Sequence, residues 1–180
     1  MKREEFEHVL RAAAEVVEDD VVVIGSQAVL GQHPNAPESL LTSLEVDVYP
    51  LTDPDRAELI DGALGDGSPF HETYGYYAHG VGPKTTKAPA GWENRLIPVD
   101  VTTLQGKRRS ATAWCLETHD LVLAKLAAGR PHDTEYAMEA LRAGLVDPDQ
   151  LRLGVDLVPA KYRSRVGERL DGLLRQLALS

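Results

Sequence analysis

Glu45-Val46-Asp47-Val48 is the stretch with the most evident chemistry in the chain. In an extended strand successive side chains alternate faces, so Glu45 and Asp47 project together while Val46 and Val48 turn toward a core. Two ionised carboxylates at close range repel, and unless a metal or cationic partner neutralises them one takes up a proton. Hard oxygen ligands of this kind select Mg²⁺ or Mn²⁺, with phosphates commonly completing the shell. Glu45 and Asp47 are therefore expected to be metal ligands in a displacement at phosphorus. A third acid is useful in such a site, and Asp100 alternates with apolar neighbours in Ile97-Pro98-Val99-Asp100-Val101. An acid in an apolar strand is costly unless paired or metal-bound, which makes Asp100 the expected third metal ligand. The alternative is that Pro98 marks an edge strand and Asp100 meets solvent.

Upstream, Gly25-Ser26 closes the apolar run Val21-Val22-Val23-Ile24, and Glu45 follows nineteen positions after Ser26. A glycine lets backbone approach a phosphate closely, and N–H groups at a helix start, helped by the Ser26 hydroxyl, can hold an anionic triphosphate. Nucleotidyl transfer needs these parts. It attacks the α-phosphorus of a nucleoside triphosphate and expels pyrophosphate. Two ions roughly 3.5–4 Å apart can stabilise the attacking and leaving oxygens.

The elements that must position these residues follow from periodicity. Phe6, Val9, Leu10, Ala13, Val16 and Val17 recur at helical spacing, predicting an amphipathic helix over residues 3–18. Strands are expected over 21–24 and 44–49, with a short helix from Gln27 to Gly31 between them. A helix over 54–64, strands over 70–79 and 96–104, and a Gly- and Pro-rich loop over 80–91 complete the first part. From Thr118 the pattern is helical. Thr118 is expected to cap 119–128, Asp133 to cap 134–143, and Asp147-Pro148 to open a third helix. Val166, Leu170, Leu173, Leu174 and Leu177 mark a final helix. The order implies an α+β core with a C-terminal helical bundle. Residues 1–115 are expected to form the core and 116–180 a helical region packed on it, in one compact unit.

At this point the chain resembles the nucleotidyltransferase superfamily over residues 21–104: a strand, a Gly-Ser pair, a short helix, then paired acids on the next strand. The stretch from His119 to Asp133, HDLVLAKLAAGRPHD, resembles the helix-turn signature of the AbiEii and MenT toxin-like nucleotidyltransferases and their bacterial relatives. The resemblance implies a nucleotidyltransferase-like mixed β-sheet flanked by helices. It also implies that Lys125 contacts nucleotide phosphates and that Asp133 is a supporting acid near the metal or the lysine. Read without it, Lys125 snorkels from an amphipathic helix and Asp133 is an N-cap. By the same resemblance the acceptor is a tRNA 3′ end or a protein hydroxyl, and an antitoxin is an expected partner. Glu45 stands where many members carry Asp. This departure keeps open a catalytically weak protein that binds a nucleotide or a partner.

Composition narrows the classes. With 180 residues and 43% hydrophobic content, the chain suits one globular domain with a substantial core. It has no apolar run long enough to span a bilayer and no signal-peptide segment, so a cytoplasmic protein that does not engage membrane is expected. The single Cys115 excludes an internal disulfide framework and is expected to pack. A net charge of −9 argues against nucleic-acid binding through a broadly basic surface. Local exceptions are Lys107-Arg108-Arg109 and the segment from Ala160, with five Lys or Arg against two Asp or Glu. His71 and His79, eight residues apart around Tyr74, Tyr76 and Tyr77, match no compact metal spacing. These tyrosines and Trp92 are expected to pack rather than to stack a base.

Overall fold

All four residues of β1 (Val21–Ile24) are buried, as a strand flanked on both edges and covered on both faces must be. In this computed structural model, which describes residues 1–102 and 110–179, β1 is the middle strand of a five-stranded mixed sheet. On one side it pairs antiparallel with β2 (Glu45–Pro50), and β2 pairs parallel with β3 (Tyr77–Gly80). On the other it pairs parallel with β5 (Thr112–Cys115), which pairs antiparallel with β4 (Ile97–Asp100). The order is β3-β2-β1-β5-β4. The α+β class expected from the sequence is the one observed.

Residues directly opposite each other in a ladder share a face. Val46 and Val48 are fully buried on one face, while Glu45 and Asp47 lie on the other, partly open one. Helix α1 (Arg3–Val17) buries Phe6, Val9, Leu10, Ala13, Ala14 and Val17, and packs on α3 (Ala57–Leu64) and on the β1–β3 strands. A 3₁₀ turn (Ser26–Ala28) and α2 (Val29–Gln32) follow β1 directly, with Gly31 against Cys115 and Val99.

One expected strand is in part a helix. Over 70–79 the chain forms α4 (Pro69–Tyr74) before entering β3. The Ser68 hydroxyl accepts the His71 N–H, Pro69 occupies the first turn, and Gly75 closes the helix in the left-handed region at φ +77°. Its aromatics serve packing: Phe70 and Tyr74 lie against His8 of α1, whose Nδ1 is 2.7 Å from the Tyr76 hydroxyl. The strand expected over 96–104 is β4. Leu104 and the Lys107-Arg108-Arg109 cluster lie outside the described residues. Strand β5 was not expected at all.

The C-terminal helices are α5 (Thr118–Ala128), α6 (Pro131–Arg142), α7 (Pro148–Val155) and α8 (Ala160–Ala178), with α5 packed against the other three and against the 3₁₀ turn. The cap of α5 is Glu117 rather than Thr118; its carboxylate accepts the N–H groups of His119 and Asp120. Asp147 caps α7 as expected. No helix among the described residues is long and apolar enough to cross a membrane. Cys115 is buried, and burial pushes its thiol up to about 12.

Candidate active site

The site begins where β1 ends. Gly25 adopts φ +79°, and a Cβ on it would stand 2.2 Å from Asp47 Oδ2. Both the backbone conformation and the close approach therefore require glycine. Ile24 pairs with Asp47 across the β1–β2 ladder, which brings the Gly-Ser turn beside the carboxylates.

Ser26 is held from two sides. Its carbonyl accepts the Tyr136 hydroxyl at 2.8 Å, and its Oγ accepts Lys125 Nζ at 2.8 Å. An ammonium only donates, so Ser26 keeps its own hydroxyl hydrogen for another acceptor. Lys125 also pairs at 3.2 Å with Asp133, which is fully buried. Asp133 is not the N-cap of α6. It lies in the first turn, accepts the Arg130 backbone N–H, and takes a bidentate contact from the Arg130 guanidinium at 2.7 and 3.2 Å. Burial raises the Asp133 pKa, but Arg130 and Lys125 outweigh it and hold the carboxyl below its ordinary range.

The carboxylates meet a different set of neighbours. In the β2–β3 ladder Glu45 is opposite Tyr77 and Asp47 opposite His79. The Tyr77 hydroxyl donates to Glu45 Oε2 at 2.9 Å, and His79 Nδ1 lies 3.1 Å from Asp47 Oδ1. Burial first, and the Glu45 charge second, push the Asp47 pKa up, against the opposing pull of His79 and Lys125. Burial and the bond to Glu45 hold the Tyr77 phenol at about 12, a neutral donor at any ordinary pH.

Asp100 does not join this cluster. Strands β1 and β5 separate β4 from β2, three strand spacings or about 14 Å. Asp100 is also opposite Thr112, at the end of the sheet away from the Ile24–Asp47 pair. It accepts from the Thr102 N–H and hydroxyl instead. The third position beside the acid pair belongs to His79: one ligand atom from each of Glu45, Asp47 and His79 can be chosen so that all lie within 4.8 Å of one another. Donors sharing one ion, with bonds of roughly 2.0–2.6 Å, lie no more than roughly 4–5 Å apart. Two carboxylates and an imidazole so placed fit a divalent metal.

A cavity of about 300 Å³ opens beside Asp47. Its apolar wall comes from Ile24, Leu116, Leu121 and Ala124, and its cationic wall from Lys87, Lys125 and Arg130. Gly25, Ser26, Glu45, Asp47, Lys125 and Asp133 are thus brought together. His79, Tyr77, Lys87 and Arg130 were not foreseen. A β-strand pattern over 77–80 gives His79 the same alternation as Asp47, and this is the one sequence signal that could have found it.

Among curated proteins and among solved structures, none matches the chain. A family model described as a nucleotidyltransferase of unknown function, DUF6036, matches residues 3–165. Spanning the sheet, the Gly-Ser turn, the acid pair and helices α5 to α7, that match shows that the chain belongs to this nucleotidyltransferase family.

Proposed function

We propose that the protein transfers a nucleoside monophosphate from a nucleoside triphosphate to an acceptor hydroxyl in a metal-dependent reaction. The acceptor oxygen bonds to the α-phosphorus, the bond from that phosphorus to the β-phosphate's bridging oxygen breaks, and pyrophosphate leaves with the electron pair. The acceptor proton passes to solvent.

The observation that carries this reading is the cavity that sets Asp47 of the acid pair among the cations Lys87, Lys125 and Arg130. A nucleoside triphosphate needs both. Its phosphates need the charge of Lys125, Arg130 and Lys87 and the free Ser26 hydroxyl hydrogen, and its reacting phosphorus must lie near the acid pair. Glu45, Asp47 and His79 would hold the metal. A divalent ion there supplies neutralisation of the carboxylates and of charge developing on the phosphates. Gly25 admits the backbone to the phosphates, and Asp133 fixes Lys125 and Arg130 in place. The acceptor is a tRNA 3′ end or a protein hydroxyl, and a toxin-like role with an antitoxin partner accompanies either.

The test is incubation of the purified protein with each labelled nucleoside triphosphate, Mg²⁺ or Mn²⁺, and either total tRNA or cell extract, with Asp47→Ala in parallel. Label moving to RNA or to protein only with Asp47 intact establishes the transfer and names the acceptor. Saturable nucleotide binding without transfer to any acceptor replaces it with the binding-protein reading.

A further inference from the structure

Neither Glu45 nor Asp47 forms an ion pair with a lysine or arginine among the described residues. Two of the cations lining the cavity are committed elsewhere: Lys125 to Ser26 and Asp133, and the Arg130 guanidinium to Asp133. The partner that does reach the pair is an imidazole. We infer that His79 is a metal ligand that sets the ion preference of this site: with Glu45 and Asp47 it makes an oxygen, oxygen and nitrogen donor set that takes Mn²⁺ in preference to Mg²⁺. The inference concerns the same site as the proposed transfer and rests on that reading for its place in the reaction.

Three arguments support it. The β2–β3 register seats His79 directly opposite Asp47, so its approach to the carboxylates is set by backbone pairing. Mg²⁺ demands near-ideal octahedral oxygen geometry and retains water, whereas imidazole is a ligand of transition metals, for which Mn²⁺ is the hardest of the common choices. Charge agrees as well. The two carboxylates already balance a divalent ion, and a neutral nitrogen completes the donor set without the excess negative charge of a third acid. His79 is half-exposed on an edge strand, with room to adjust to a bound ion and no core to disturb when replaced.

The experiment uses the full chain without nucleotide. Mn²⁺ is titrated in while free ion is followed by electron paramagnetic resonance, Mg²⁺ is then added as competitor, and the bound Mn²⁺ is probed by pulsed methods for hyperfine coupling to nitrogen. Nitrogen coupling and Mn²⁺ binding at least about tenfold tighter than Mg²⁺ are expected. In His79→Asp the coupling disappears and the Mn²⁺ to Mg²⁺ preference falls by about tenfold, with circular dichroism unchanged. His79→Gln removes the nitrogen ligand without adding a charge and is expected to lose the coupling too, which covers the case of a misfolded aspartate variant. Bound Mn²⁺ without nitrogen coupling, coupling that persists in both variants, or an unchanged preference overturns the inference. Because no nucleotide is present, this titration can succeed where the transfer assay fails. A transferase equally active with both ions and lacking the coupling defeats this inference alone.

Discussion

Gly25 lies so close to Asp47 that the carboxylate fills the space a side chain would take, with Oδ2 at 2.2 Å from an ideal Cβ position. Its φ of +79° adds a second constraint. Gly25→Ala therefore combines left-handed strain of about 1–3 kcal/mol with displacement of Asp47. For a chain of this size each kcal/mol is worth about 2–4 °C in Tm. The expected variant melts several degrees lower and binds Mn²⁺ weakly. A variant that matches the wild type in both would mean that the turn moves freely and does not fix the carboxylate.

Asp47 carries a stability penalty that its proposed role as a metal ligand explains. Burial, then Glu45, raises its folded pKa above the unfolded value. For an acid shifted this way the folded state is favoured while the group is protonated. That advantage is lost as pH climbs from the ordinary aspartate pKa of about 3.9 through the folded value. At pH 7.5 in a chelator Asp47→Asn removes the penalty and keeps an acceptor for His79, so it is expected to melt above the wild type. The gap closes below about pH 3.9 and reverses when Mn²⁺ is added, since only the wild type gains from the ion. A metal-free wild type that melts at or above the variant at pH 7.5 rejects this account.

How much of this was readable beforehand depended on whether a feature is local. The all-apolar β1, the alternation of Glu45 to Val48 and the stripe of α1 are periodicities imposed by burial, and the Gly-Ser turn and acid pair sit on adjacent strands close in sequence. The third position of the candidate metal cluster is not local. Choosing His79 over Asp100 requires knowing that β5 inserts between β1 and β4, and β5 is only four residues long. It is anchored by distant groups: Asp20 accepts the Thr112 N–H and the Trp114 indole N–H. Helix α4 carries local signals that conflict with its strand-favouring composition. Ser68-Pro69 and Gly75 are start and stop signals, and the aromatics between them suggested a strand because aromatic residues favour strands. Arg130 is one of many surface charges until the fold aims it at the cavity.

Lys125 and Asp133 are not equivalent partners in their buried pair. Asp133→Ala leaves the Lys125 ammonium buried without its counter-charge, and losing one partner of such a pair costs about 3–5 kcal/mol. Lys125→Met leaves Asp133 in the bidentate grip of Arg130 and replaces the long stem with an apolar one. Denaturant melts are expected to show a severe loss for the first and a loss of about 1 kcal/mol or less for the second. Nucleotide affinity is expected to fall in both, by about tenfold or more for Lys125→Met. Equal destabilisation by the two would mean that Arg130 contributes nothing to holding Asp133.

Tyr77 compensates for the length of Glu45. A glutamate has one more torsion than an aspartate, and the Tyr77 hydroxyl at 2.9 Å fixes Oε2, leaving Oε1 for the ion. Groups that orient a metal ligand in this way are worth about 10–100-fold in metal affinity. Tyr77→Phe is expected to weaken Mn²⁺ binding by about tenfold with little change in Tm, because the ring keeps its place beside His71 at 4.7 Å. The decisive comparison is a double-mutant cycle with Glu45→Asp, whose shorter carboxylate lies out of the hydroxyl's reach. If Tyr77 acts by orienting Glu45, removing its hydroxyl in the Glu45→Asp background changes Mn²⁺ affinity no further, and the two effects are strongly non-additive. Additive losses would instead mean that the phenol acts on the site independently of Glu45, through its ring or through a bound water.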